Sequence, residues 1–147
     1  MDWSKRDTRP FSIGLIDDDG VHLRTMRRII ELAWAPVHIF GFICPKRALE
    51  EIPGLDLDLV LSDLNMPGLD GFELCEALTG LGVDAVKFVL TGSVSRPEVV
   101  TNPRTGVRAL LPKPLNLHQI GTMLDAAEND DIWGEDRMTD ELRRRFA

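Results

Sequence analysis

The sequence is poor in cysteine, in long apolar runs and in positive charge. Only Cys44 and Cys75 occur in 147 residues, without the spacing of metal ligands. Neither the disulfide framework of a small secreted domain nor a thiolate zinc site can therefore hold this fold, and both cysteines are expected to be small core residues. No stretch approaches the ~18 apolar residues that a membrane span requires, and residues 1–10 are polar and charged, without the apolar centre of a signal peptide. The chain is expected to be cytoplasmic and free of membrane contact. With 24 acidic against 17 basic side chains the net charge is -7, which repels nucleic-acid phosphates and disfavours direct nucleic acid binding. Internal repeats and low-complexity tracts are also missing.

What is present is enough for one core. The chain is 44% hydrophobic, and its length suits one globular domain rather than two. Short apolar runs at 12–16, 37–42, 57–62, 86–90 and 109–111 read as strands buried on both faces. Between them lie helical patterns. Over 21–33 the apolar residues Leu23, Met26, Ile30 and Ala33 recur at threes and fours, leaving Arg24, Arg27, Arg28 and Glu31 to solvent. A helix over 46–52 begins behind Pro45, whose fixed φ suits a first helical position, and Pro53-Gly54 ends it. Phe72, Leu74, Cys75 and Leu78 stand in helical register over 71–78, and a last helix over 117–127 has Asn116 as its N-cap. Between strands four and five, Pro97 and Pro103 leave a fourth helix barely one and a half turns, and Asn102 before proline is pushed out of the α region. The expected fold is α/β: a doubly wound, five-stranded parallel sheet with helices on both faces, followed by a short helical tail. Residues 1–10 are expected to be flexible, 11–127 to form the domain, and 128–147 to form a helical extension.

In such sheets ligands bind beyond the carboxyl ends of the strands. Asp17, Asp18 and Asp19 follow strand one, Asp63 ends strand three, Thr91 follows strand four and Lys113 follows strand five. Carboxylates gathered there repel one another unless a cation intervenes, and an all-oxygen donor set favours Mg²⁺. About -3 from Asp17, Asp18 and Asp63, +2 from Mg²⁺ and +1 from Lys113 nearly cancel, so the site can take a phosphoryl group. Asp63 is the expected nucleophile. Phosphoryl transfer needs chiefly in-line positioning and neutralised oxygens, which a metal, an ammonium and the Thr91 hydroxyl supply. Asp19 is expected to cap the first helix.

Four segments taken in order, Ile16-Asp17-Asp18-Asp19, Asp58 through Gly71 with Asp63 and Met66-Pro67-Gly68, Leu90-Thr91-Gly92 and Lys113-Pro114, resemble the signatures of response regulator receiver domains. The likeness covers about residues 11–127 and implies a flavodoxin-like, CheY-like topology. Position by position, it implies metal binding by the side chains of Asp17, Asp18 and Asp63 and by the Asn65 carbonyl. It also implies phosphoryl contact by Thr91 and Lys113, a cis Lys113-Pro114 peptide, and tuning of hydrolysis by Asn65 and Ser93. The implied role is that of a signalling phosphoacceptor in a two-component system or phosphorelay, not a turnover enzyme. A histidine kinase or histidine phosphotransfer protein donates to Asp63, and an unknown downstream protein reads the result. In the family an aromatic residue three positions before the lysine turns inward on activation. Here that position is Leu110, which has no ring to swing.

Two alternatives are set beside this reading. A pseudo-receiver that binds partners without phosphorylation would suit Leu110 and the proline-bracketed helix. A haloacid-dehalogenase-like, Mg²⁺-dependent phosphatase uses similar groups, but its D-x-D pattern follows the first strand, whereas Asp63-Leu64-Asn65 follows the third. His22, His38 and His118 stand singly and are assigned to solvent or core, and Trp3, Trp34 and Trp133 to packing. The tail pairs Leu142 with Phe146 and places Arg143, Arg144 and Arg145 at its end. It reads as a helix folded onto the domain, a homodimer or partner contact, or a linker. The main expectation is a stand-alone receiver; a piece of a longer regulator is the alternative.

Overall fold

A computed structural model describes residues 10–33, 36–95, 98–100 and 102–115. The expected helix over 117–127, the tail, Trp3, Trp34, Trp133 and His118 lie outside them. In chain order the elements are β1 (Phe11–Ile16), α1 (Gly20–Ala33), β2 (Val37–Phe42), α2 (Pro45–Glu51), a 3₁₀ turn (Ile52–Gly54), β3 (Leu59–Asp63), α3 (Gly71–Gly80), β4 (Val86–Thr91), β5 (Glu98–Val99) and β6 (Val107–Pro112).

The sheet order is β2-β1-β3-β4-β6-β5. The first five of these pair in parallel, as expected, and the two-residue β5 adds an antiparallel edge. Every residue of β1, β3 and β4 is buried, which is why they read as continuous apolar runs rather than alternations. Alternation decides only which face each side chain joins. Ile13, Leu15, Leu59, Leu61, Phe88 and Leu90 pack with Met26 and Ile30 of α1. Ile16 and Val60 point the other way, against Ala48, Ile52, Leu74 and Leu78 from α2, the 3₁₀ turn and α3. Helices therefore cover both faces.

Two expectations are corrected. Cys44 is exposed and precedes α2 as its N-cap, while Cys75 is buried as expected; a residue held in a helix-entry turn need not enter the core. Among the described residues between β4 and β6 there is no helix. Glu98 and Val99 lie opposite Leu110 and Ala109, and the Val100 amide donates to the Arg108 carbonyl at 3.2 Å. The β-branched pair Val99-Val100 favours extended backbone, and the turn at Pro103 is closed by Gly106 N–H donating to the Asn102 carbonyl at 2.9 Å. The proline bracket thus marked the departure, and β-propensity together with pairing on β6 gave its form.

Candidate functional site

The site is assembled by strand ends. β1 delivers Asp17 and Asp18, β3 ends on Asp63, β4 ends on Thr91, and β6 is followed at once by Lys113. The switch in strand order places β1 beside β3, and β4 beside both β3 and β6, so the four ends share one crevice. Carboxylate oxygens of Asp17, Asp18 and Asp63 all lie within 4.8 Å of one another. Asp17 and Asp63 are buried, at 5% and 7% exposure, whereas Asp18 is open to solvent. Lys113 Nζ donates to Asp63 Oδ1 at 2.7 Å and stands 3.5 Å from Asp17 Oδ2. One ammonium between two buried carboxylates lessens their repulsion without cancelling it, so the net local charge is negative and a hard cation fits the all-oxygen donor set.

The segment after Asp63 is pinned by backbone and by one cap. Leu64 N–H continues the ladder to the Leu90 carbonyl at 2.8 Å, and Gly71 N–H returns to the Leu64 carbonyl at 2.9 Å. Gly68 takes a φ of 90°, a conformation L side chains resist. Gly71 is needed for a different reason: a Cβ there would meet the Asp63 carbonyl oxygen at 2.5 Å. Asp70 then caps α3, accepting from Glu73 N–H at 2.8 Å while Glu73 Oε1 accepts from Asp70 N–H at 3.1 Å. This reciprocal capping box is legible in the sequence as Asp70-x-x-Glu73.

The remaining expected residues fall as follows. Thr91 is buried, its Oγ1 accepts from Ser93 N–H at 3.2 Å, and its carbonyl accepts from Lys113 N–H at 2.9 Å. The Lys113-Pro114 peptide is cis. Asn65 lies exposed in the loop two positions beyond Asp63. Asp19 caps α1 as expected, its Oδ1 accepting from Val21 and His22 amides at 3.0 and 3.3 Å. His38 is exposed. His22, assigned to solvent or core, instead places Nδ1 in direct hydrogen-bond contact with Asp17 Oδ2. The only hint in the sequence was its place in the first turn of a helix whose cap follows an acidic strand end.

Residues 13–125 match the family profile of the response regulator receiver domain. The chain belongs to the response regulator receiver family. Among curated relatives of this receiver, the C4-dicarboxylate transport transcriptional regulatory protein DctD of Rhizobium meliloti is 33% identical over 106 residues, 70% of this chain and 22% of that protein. The transcriptional regulatory protein FixJ of Bradyrhizobium diazoefficiens is 29% identical over 115 residues, 78% of this chain and 55% of its own. The receiver thus spans from about a fifth to just over half of the length of these relatives. Of solved structures, the Francisella response regulator 1452 receiver domain superposes with a TM-score of 0.68 at 20% identity, covering 84% of this chain and 99% of that one. Chemotaxis protein CheY4 of Vibrio cholerae gives 0.65 at 20% identity, covering 81% and 99%. At that identity the likeness speaks to the fold.

Proposed function

We propose that this receiver takes a phosphoryl group on Asp63 from a phosphohistidine of a sensor kinase or phosphotransfer protein, and that it signals through protein contacts. The observation that carries this reading is the grouping of Asp17, Asp18 and Asp63 with the Lys113 ammonium 2.7 Å from Asp63. An Asp63 carboxylate oxygen attacks phosphorus, the bond from phosphorus to the donor's imidazole nitrogen breaks, and the imidazole leaves. Lys113 offsets the charge gathered on the acceptor, and the Thr91 hydroxyl donates to a phosphoryl oxygen. Asp17, Asp18, Asp63 and the Asn65 carbonyl would hold Mg²⁺, which when bound supplies electrostatic stabilisation of the phosphoryl oxygens. Later hydrolysis of the acyl phosphate by water returns Asp63 to its carboxylate. The unit is assigned to residues 11–127, and a cytoplasmic location accords with a kinase donor. Among the described residues no helix is long and apolar enough to cross a membrane.

Incubation of the purified chain with acetyl phosphate and Mg²⁺ is expected to add one phosphoryl group, seen as a mass increase, and Asp63→Asn is expected to add none. Uptake by that variant would dismiss the site assignment. Steady turnover of a general phosphomonoester would favour the phosphatase alternative instead. A second reading, the pseudo-receiver, is favoured by one feature: Leu110, at the usual aromatic position, is 9% exposed and lies opposite Glu98 of β5. Wild-type protein that takes up no phosphoryl group under Mg²⁺ would support it.

A further inference from the structure

Asp17 is held on both of its carboxylate oxygens. Asp19 N–H donates to Oδ1 at 2.9 Å. On Oδ2, His22 Nδ1 is in direct contact and Lys113 Nζ lies 3.5 Å away. Lys113 is closer to Asp63, at 2.7 Å, so His22 is the nearer partner of Asp17 Oδ2. Backbone geometry brings it there. Asp19 caps α1 through the Val21 and His22 amides, and the opening turn then turns the imidazole back over the end of β1. An ionised carboxylate can only accept, so the proton of a neutral ring sits on Nδ1 and Nε2 is left outward as acceptor. Among the described residues, the groups drawn together as candidate ligands are Asp17, Asp18 and Asp63. His22 touches one of them, on the oxygen that also faces Lys113.

We propose that His22 is a positioning residue for the acidic site: its Nδ1–H holds the Asp17 carboxylate in the orientation that faces Asp18 and Asp63. This inference rests on the reading that the cluster takes a divalent cation. The imidazole is a quarter exposed, at 24%, and the space beside it is floored by Leu23, Met26, Leu61 and Leu90. Truncation therefore leaves Lys113, 3.5 Å away, as the polar neighbour of Asp17 Oδ2 and opens a space with an apolar floor, where a water finds few further partners. The carboxylate then relaxes toward Lys113 or solvent, and its share of the cation site weakens. Partners of ligating groups typically influence metal affinity about 10–100-fold.

The test is calorimetric titration of the unphosphorylated protein with MgCl₂ and with MnCl₂, together with thermal unfolding in the absence of metal. His22→Ala is expected to raise the Kd for both ions by about tenfold or more. His22→Asn carries an amide N–H close to the place of Nδ1–H and is expected to recover most of that loss. His22→Gln carries its amide at the place of Nε2 and is expected not to. An unchanged Kd in His22→Ala overturns the inference while leaving the cation site intact, and so does equal affinity in the Asn and Gln variants. A wild-type chain that binds neither ion rejects the cation site and the role of His22 with it. If His22→Ala fails to fold, the Asn and Gln comparison carries the decision alone.

Discussion

Two side chains of the same type behave differently here because of where each is placed. Cys75 is fully buried, and burial pushes its thiol up from 9.0 to about 12, with Lys87 opposing the shift. Cys44 is exposed. Ellman titration of the native protein is expected to count one fast thiol, and a second only after denaturation; two fast thiols would contradict the packing of α3. Because the folded thiol is raised above its unfolded value, its contribution to stability is complete below pH 9 and is lost as pH rises toward about 12. Urea unfolding of Cys75→Val is expected to lose less stability than wild type between those limits. At the site itself, Lys113→Ala removes the ammonium 2.7 Å from Asp63. Phosphoryl uptake from acetyl phosphate is expected to slow by about 100-fold, the scale of losing one preorganised donor. Lys87, buried and driven toward its neutral form by desolvation, donates to the Val83 and Ala85 carbonyls at 2.6 and 3.0 Å. It ties the α3–β4 turn at the end of the sheet opposite the acidic site.

Elements matter through the backbone they force together. α3 can start only where Gly71 lets it approach the Asp63 carbonyl, since a methyl group there would also meet Val89 Cγ1 at 3.1 Å. Gly71→Ala is expected to destabilise the protein by about 1–3 kcal/mol, the cost of overpacking, and to slow uptake as well, because displacing the carbonyl displaces its carboxylate. Gly68→Ala has open space around it and meets only the unfavourable φ. Its expected cost is roughly 1–2 kcal/mol with uptake retained. Denaturant unfolding beside acetyl phosphate uptake separates the two effects. The β5 edge is a different device. It pairs beside Leu110, which joins Cys75, Val89 and Val107 in a small cluster against Leu64, Phe72, Val94 and Val100. That cluster links the residue after Asp63 to the segment beyond Thr91.

For the molecule as a whole, the central strands and the edge are expected to respond differently. β1, β3 and β4 are buried throughout and hydrogen-bonded on both sides, so their amides are expected to exchange slowest, whereas β5 holds two residues on one partner. Binding of a phosphate mimic is expected to change exchange over 97–110 unevenly, since no helix among the described residues there can move as a unit. A uniform, helix-like response across 97–110 in a hydrogen-exchange comparison would contradict this.

Much of the architecture could be read from periodicity alone. Strands buried on both faces are mostly apolar, as in 12–16 and 86–90, where Ser12 and Lys87 are the polar exceptions, and an amphipathic α1 repeats at threes and fours; such patterns are local and need no partner to be seen. Asp63, Lys113 and Thr91 were legible because each stands at a strand end, and parallel topology dictates that such ends converge. What the sequence could not decide were contacts made across the fold or through propensities in competition. Glu98, Val99 and Val100 follow a proline that could open a helix; β-branched side chains leaned toward extended backbone, and pairing of Glu98 and Val99 with Leu110 and Ala109 made the segment a strand. Cys44 and Cys75 look alike in the chain, and only packing buried one of them. His22 looked solitary because its partner, Asp17, is reached by the curl of a capped helix rather than by any spacing a motif records. The acidic site with its lysine was thus written in the chain, whereas the hold on Asp17 and the edge strand paired beside Leu110 were settled by the tertiary structure, where distant segments become neighbours.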